Sequence, residues 1–143
     1  MPAIERVEIV PHSAAQMYDL VNDIKSYPEF LPWCSESAIL ESDEDAIRAS
    51  ITVAGGGLHK TFTTVNRLQK HKMIEIRLVD GPFKHLEGFW LFEPQQDGSS
   101  RVTVDLEFEF SGSLLDLAFG PVFHQIAHSL VDAFTQRADV LYG

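Results

Sequence analysis

His124 and His128 stand four residues apart, a spacing that sets two imidazoles on one face of a helix, as in zinc-protease helices. The likeness ends there. Gln125 stands where that motif needs a glutamate as general base, no third ligand is evident, and the pair projects off the apolar side of its helix. No metal is expected. Gly55-Gly56-Gly57 is followed by neither a helix nor a lysine-serine pair, so it reads as a sharp turn and not as a phosphate loop. Serines, histidines and acids are present without a Gly-x-Ser-x-Gly nucleophile turn. Cys34, the only cysteine, excludes an internal disulfide; it reads as a small buried hydrophobe, with a reactive thiol as the lesser alternative. Arg137 falls between Phe134 and Leu141 within an apolar stripe, where two roles are open to it. It either snorkels at the helix end, where a cation suits the macrodipole, or points inward to bond a buried ligand or an acid such as Glu87.

These groups must be positioned by a chain of 143 residues, 45% hydrophobic, which suits one domain spanning 1–143. No apolar run approaches the ~20 residues of a membrane span, and the first residues alternate charged and apolar types where a signal peptide has an apolar core. A soluble cytoplasmic protein is expected. The formal charge of −10 argues against duplex DNA as a partner. Yet residues 60–84 hold Lys60, Arg67, Lys70, Lys72, Arg77 and Lys84 against Glu75 and Asp80, a local +4, while the remainder carries −14. Arg67, Lys70 and Lys72 form the candidate basic patch: either a solvated hairpin tip, or a contact for anionic lipid headgroups or RNA.

Periodicity predicts the elements. A strand covers about Ala3 to Val10, and Ser13 with Gln16 three residues on forms a capping box for a helix whose apolar side is Met17, Leu20, Val21 and Ile24. Alternation of two predicts strands around Ile47–Val53, Leu58–Leu68, Met73–Val79, Lys84–Phe92 and Val102–Phe110. Past Ser111-Gly112 the period becomes 3.6. Phe119, Phe123, Ile126, Ala127, Leu130, Phe134, Ala138 and Leu141 then line one side of a helix running from about Pro121 to Tyr142, with a short helix possible at Leu114–Phe119.

The stretch Tyr27-Pro28-Glu29-Phe30-Leu31-Pro32-Trp33-Cys34 packs three aromatics and two prolines into eight residues after the first helix. A second short helix is placed at about Ser26–Leu31, and the prolines are expected to hold Tyr27 and Leu31 extended. With Gly81-Pro82-Phe83, Gly88-Phe89-Trp90 and the closing Ala133-Phe134-x-x-Arg137-Ala138 to Tyr142-Gly143, this corner resembles the coenzyme Q-binding and ribosome-association-toxin family, part of the START-like lipid-transfer and polyketide-cyclase group. The resemblance covers nearly the whole chain.

It implies an α+β helix-grip fold, β-α-α-β6-α, in which a curved antiparallel sheet of six to seven strands wraps a long C-terminal helix and leaves a cavity. Phe62, Phe83, Trp90, Phe108, Phe123, Leu130, Phe134 and Arg137 are the candidate cavity residues, although ordinary core packing also accounts for the rings. Tyr27, Phe30, Leu31, Trp33 and Pro82 are the candidate mouth. The resemblance implies a carrier without cofactor or catalysis, holding an isoprenoid quinone, ubiquinone above all, in support of respiration, with peripheral contact at an anionic inner membrane. A different function implied by the same family is a toxin that binds the large ribosomal subunit and blocks subunit joining. A third, a polyketide cyclase or aromatase, would have only Arg137, Glu87 and Tyr27 for acid–base work.

Overall fold

A computed structural model describes residues 3–55 and 57–143, the side chain of Leu58 apart. Strands β1 (Ala3–Val10), β2 (Cys34–Ser42), β3 (Ala46–Gly55), β4 (Leu58–Gln69), β5 (Met73–Asp80), β6 (Phe83–Pro94) and β7 (Ser100–Phe110) are joined with helices α1 (Ala14–Asn22), α2 (Tyr27–Phe30), α3 (Ser113–His128) and α4 (Leu130–Tyr142). All seven strands form one antiparallel sheet in the order β1-β7-β6-β5-β4-β3-β2. From β2 to β7 the chain is a meander, and β1 closes against β7. Helices follow the last strand, so the α+β helix-grip class expected from the sequence is the one found.

One face of the sheet is apolar because the alternation of two places Val102, Val104, Leu106, Phe108 and Phe110 of β7 together, all buried, beside Leu86, Trp90 and Phe92 of β6. Thr103, Asp105, Glu107 and Glu109 take the other face. Helices α3 and α4 cover the apolar face with Phe123, Ala127, Val131, Phe134 and Ala138. The capping box opens α1 as expected: Gln16 N–H donates to Ser13 Oγ, and Ser13 N–H to Gln16 Oε1, both at 3.1 Å. No helix among the described residues is long and apolar enough to cross a membrane.

Several expectations need correction. The C-terminal stripe is carried by two helices, α3 and α4, separated at Ser129, and Pro121 lies inside α3 and not in its first turn. Gly112, with φ +88°, turns the chain off β7 early enough for Leu115 and Phe119 to join the packed side. That burial outweighs the one hydrogen bond the proline removes. Tyr27 is helical (φ −51°, ψ −45°): its carbonyl accepts the Leu31 N–H at 2.9 Å, and its buried phenol donates to the Val21 carbonyl. These contacts override the extended bias of a residue before proline. Leu31 is extended (φ −105°, ψ 102°), as expected. Strand β2 has no counterpart in the periodicity, because Ser35, Glu36, Ser37, Glu41 and Ser42 on an edge strand with two register shifts leave no apolar alternation. At the β3–β4 turn, Gly55 (φ +152°) ends β3 and Gly57 (φ +84°) is a turn residue, and Gly56 lies outside the described residues.

Candidate functional site

Between the apolar sheet face and the two C-terminal helices lies an internal cavity of about 90 Å³. Strands β3–β7 supply its floor through Ile51, Phe62, Thr64, Asn66, Ile76, Leu86, Trp90 and Leu106, while Phe123, Ile126, Ala127, Leu130 and Phe134 close it from above. Ile24, Tyr27 and Trp33 wall one side. Of the candidate cavity residues, the structure brings Phe62, Trp90, Phe123, Leu130 and Phe134 to this space, together with Tyr27 and Trp33 from the candidate mouth.

Two aromatic anchors shape it. Phe123 of α3 meets Phe62, Phe83 and Phe108, with ring centroids 6.3, 5.1 and 4.8 Å away. Phe134 of α4 meets Tyr27, Phe30 and Trp90 edge-on, each at 5.4 Å. Such edge-to-face pairs fix ring direction as well as burying area. Phe83 and Phe108 therefore stand behind Phe123 as packing and do not line the space.

Arg137 is not in the cavity. Its guanidinium ion-pairs with Glu29 at 3.2 Å and lies 5.1 Å from the centre of the Phe30 ring, on the outer side of α4. A guanidinium turned inward would meet no carboxylate among the described lining residues. Glu87 lies on the opposite face of the sheet, its Oε1 3.4 Å from His85 Nε2. Leu31 is fully buried, and Phe30 lines the outer groove beside Arg137. Pro82 accepts the Ser111 N–H at 2.7 Å, tying its loop to the start of α3 and away from the cavity. Trp33 and Ile126 border both the cavity and an outer groove that also includes Gly55 and Pro121, so these two side chains form the thin wall between interior and solvent.

The polar groups of the lining were missed from the sequence. Thr64 and Asn66, both buried, project from β4 in step with Phe62, and the Thr64 hydroxyl donates to Asn66 Oδ1 at 2.9 Å. Their signal was present: the alternation that turns Phe62 inward also turns in residues 64 and 66. The Tyr27 phenol is pushed well above its ordinary value by burial and then by neighbouring Cys34 and Asp23. Among the described residues the lining holds no Asp, Glu, His, Lys or Arg, so the site can enclose an apolar group and offer it the polar side chains of Thr64 and Asn66.

Elsewhere, Arg67, Lys70 and Lys72 are exposed around the β4–β5 tip. His71, at φ 61°, makes the turn and docks it on α1, edge-on to Tyr18 at 5.4 Å and 3.3 Å from Asp19. His124 and His128 are exposed with ring centres 6.5 Å apart, and no third histidine, cysteine or carboxylate among the described residues completes a metal site with them.

A family model described as polyketide cyclase/dehydrase and lipid transport matches residues 10–135. The ribosome association toxin RatA of Escherichia coli K12 is 49% identical over 143 residues, spanning 100% of this chain and 90% of that protein. The mitochondrial coenzyme Q-binding protein COQ10 homolog B of Xenopus laevis is 30% identical over 142 residues, covering 95% of this chain and 57% of that one. Among solved structures, a START superfamily protein of Mycobacterium smegmatis superposes with a TM-score of 0.77 at 21% identity, over 97% of this chain and 98% of its own, a likeness of fold.

Proposed function

The chain belongs to the polyketide cyclase/dehydrase and lipid transport family, in its coenzyme Q-binding and ribosome-association-toxin branch, and on that premise we propose that it acts by binding the large ribosomal subunit. The observation that carries this reading is the 49% identity to proteins named for ribosome association, sustained along the whole chain. The exposed basic tip of the β4–β5 hairpin supports it, since it concentrates Arg67, Lys70 and Lys72 where RNA phosphates can reach them on an otherwise acidic molecule. The lining of the cavity favours association over catalysis. Sucrose-gradient sedimentation with cell extract tests the proposal. The protein is expected with large subunits at low salt, and a protein that stays at the top of every gradient rejects it.

A second reading rests on the cavity itself: a hydrophobic small molecule, an isoprenoid quinone such as ubiquinone in particular, carried between sheet and C-terminal helices. The apolar lining, its Thr64–Asn66 pair and the 30% identity to a coenzyme Q-binding protein favour it. At about 90 Å³ the cavity is smaller than the ~150 Å³ that admits a benzene, so loading would need the cavity to widen, with Trp33 and Ile126, which border both it and the outer groove, as the place to open. The drive would be removal of a polyprenyl tail from water at ~0.8 kcal/mol per CH₂. The basic tip would then face an anionic inner membrane. Native mass spectrometry of the gently purified protein, with extraction of anything released, decides this reading: stoichiometric quinone supports it, and an empty protein that also refuses added ubiquinone removes it.

A further inference from the structure

His85 and Glu87 alternate on β6, so both leave the sheet on the face away from the helices, and Glu107 of β7 stands directly opposite Glu87 in the strand register. Two carboxylates facing each other across paired strands destabilise a sheet unless a cation stands between them. The nearby lysine does not serve, because Lys84 pairs with Glu109 at 3.6 Å. Arg77 is in register with Glu87 from β5, yet among the described residues it forms no ion pair. The group that does approach is His85. Its Nε2 lies 3.4 Å from Glu87 Oε1 and 3.5 Å from Glu107 Oε2, and it is buried without a hydrogen-bond partner.

Those separations exceed the ~2.7–3.2 Å of an N–H···O hydrogen bond. They match the edges of a tetrahedron around a metal: bonds of about 2.0–2.2 Å to imidazole nitrogen and carboxylate oxygen put neighbouring ligand atoms roughly 3.3–3.5 Å apart. All three ligand atoms lie within 4.8 Å of one another, and rotation of the exposed Glu107 carboxylate can shorten the remaining edge. One imidazole with two carboxylates suits a zinc-class ion better than calcium or magnesium, which prefer all-oxygen shells. We propose that His85, Glu87 and Glu107 bind a divalent transition-metal ion of the zinc class, clipping β6 to β7 on the outer face of the sheet. The fourth position opens onto the groove that Asp105 also lines.

This site escaped the sequence reading because its ligands are split between strands. His85-x-Glu87 is an unremarkable alternation until β7 brings Glu107 across. The test is calorimetric titration of the chelator-treated full chain with zinc chloride near neutral pH, beside His85→Gln, Glu107→Gln and a His124→Gln/His128→Gln control. We expect the native chain and the helix control to bind one zinc, and the two strand variants to bind at least about tenfold more weakly, the smallest loss that even disturbing a ligand's outer partner brings. Thermal melts give a second readout that needs only Glu107→Gln to fold. Without metal this variant should melt above the native chain, because the facing charges are gone, and it should lose the native chain's upward shift on adding zinc. A native chain that takes no zinc, His85→Gln binding as tightly as native, or binding lost only in the helix control would each overturn the proposal.

Discussion

At the scale of single residues, burial decides chemistry. Cys34 is 3% exposed, and burial pushes its thiol up to about 11 from 9.0. The thiol should therefore resist a thiolate-directed reagent such as DTNB near pH 8 in the native protein and react fully in denaturant. Native labelling at the unfolded rate would contradict this. The sign of the linkage follows: the fold favours the neutral thiol, so this contribution to stability is complete below pH 9 and is lost as pH rises towards 11, which a pH series of denaturant melts reads directly. Gly88 shows the same dominance of space over type. A Cβ there would sit 1.9 Å from the Asp105 carbonyl oxygen, so Gly88→Ala must part β6 from β7 and is expected to cost about 3 kcal/mol or more by chemical denaturation. Of these two residues, the buried state of Cys34 was legible in its apolar setting. The demand at Gly88 was not, because the obstructing backbone belongs to a strand about seventeen residues away.

At the scale of elements, the break between α3 and α4 matters most. Arg6 of β1 reaches it: one guanidinium nitrogen donates to the His128 carbonyl at 2.8 Å and to Asp132 at 3.0 Å, and the other to Glu8 at 2.7 Å. A cation at the C-terminal end of α3 also answers the helix macrodipole. Arg6→Ala should lower stability by about 1–3 kcal/mol and speed hydrogen exchange of the amides around Ser129 ahead of the sheet, whereas exchange quickened equally everywhere would deny the local role. The apolar stripe from Phe119 to Ala138 was readable as 3.6 periodicity, and so was the sheet it covers. The division at Ser129 was hidden because helical hydrogen bonding runs on both sides of it: the Ser129 N–H donates to the Gln125 carbonyl at 3.2 Å and the Ala133 N–H to the Ser129 carbonyl at 3.1 Å, with Ser129 itself at φ −88° and ψ −4°. Arg137 misled for a related reason. A helical projection assigns it a side, while α2, built from a corner the projection does not contain, supplies the Glu29 that holds it outside.

At the scale of the whole molecule, charge is segregated. The basic tip stands on a chain of net charge −10, so docking on RNA should be oriented and strongly dependent on salt. Lys70→Glu/Lys72→Glu should abolish co-sedimentation with large subunits at low salt while leaving the melting temperature near native, because both side chains are exposed. Undiminished co-sedimentation would move the contact to another face. The topology also sets a timetable. Among the described residues strand β1 pairs only with β7, Ala3 with Glu107 through Val10 with Ser100, so β1 has no partner until about ninety further residues have been synthesised. At roughly 5–20 residues per second that is a wait of roughly 5–20 s. Throughout that interval β1 is an unsatisfied edge and Arg6 has no helix end to hold. The chain is thereby kept from completing its fold while the ribosome that makes it is still reading the meander.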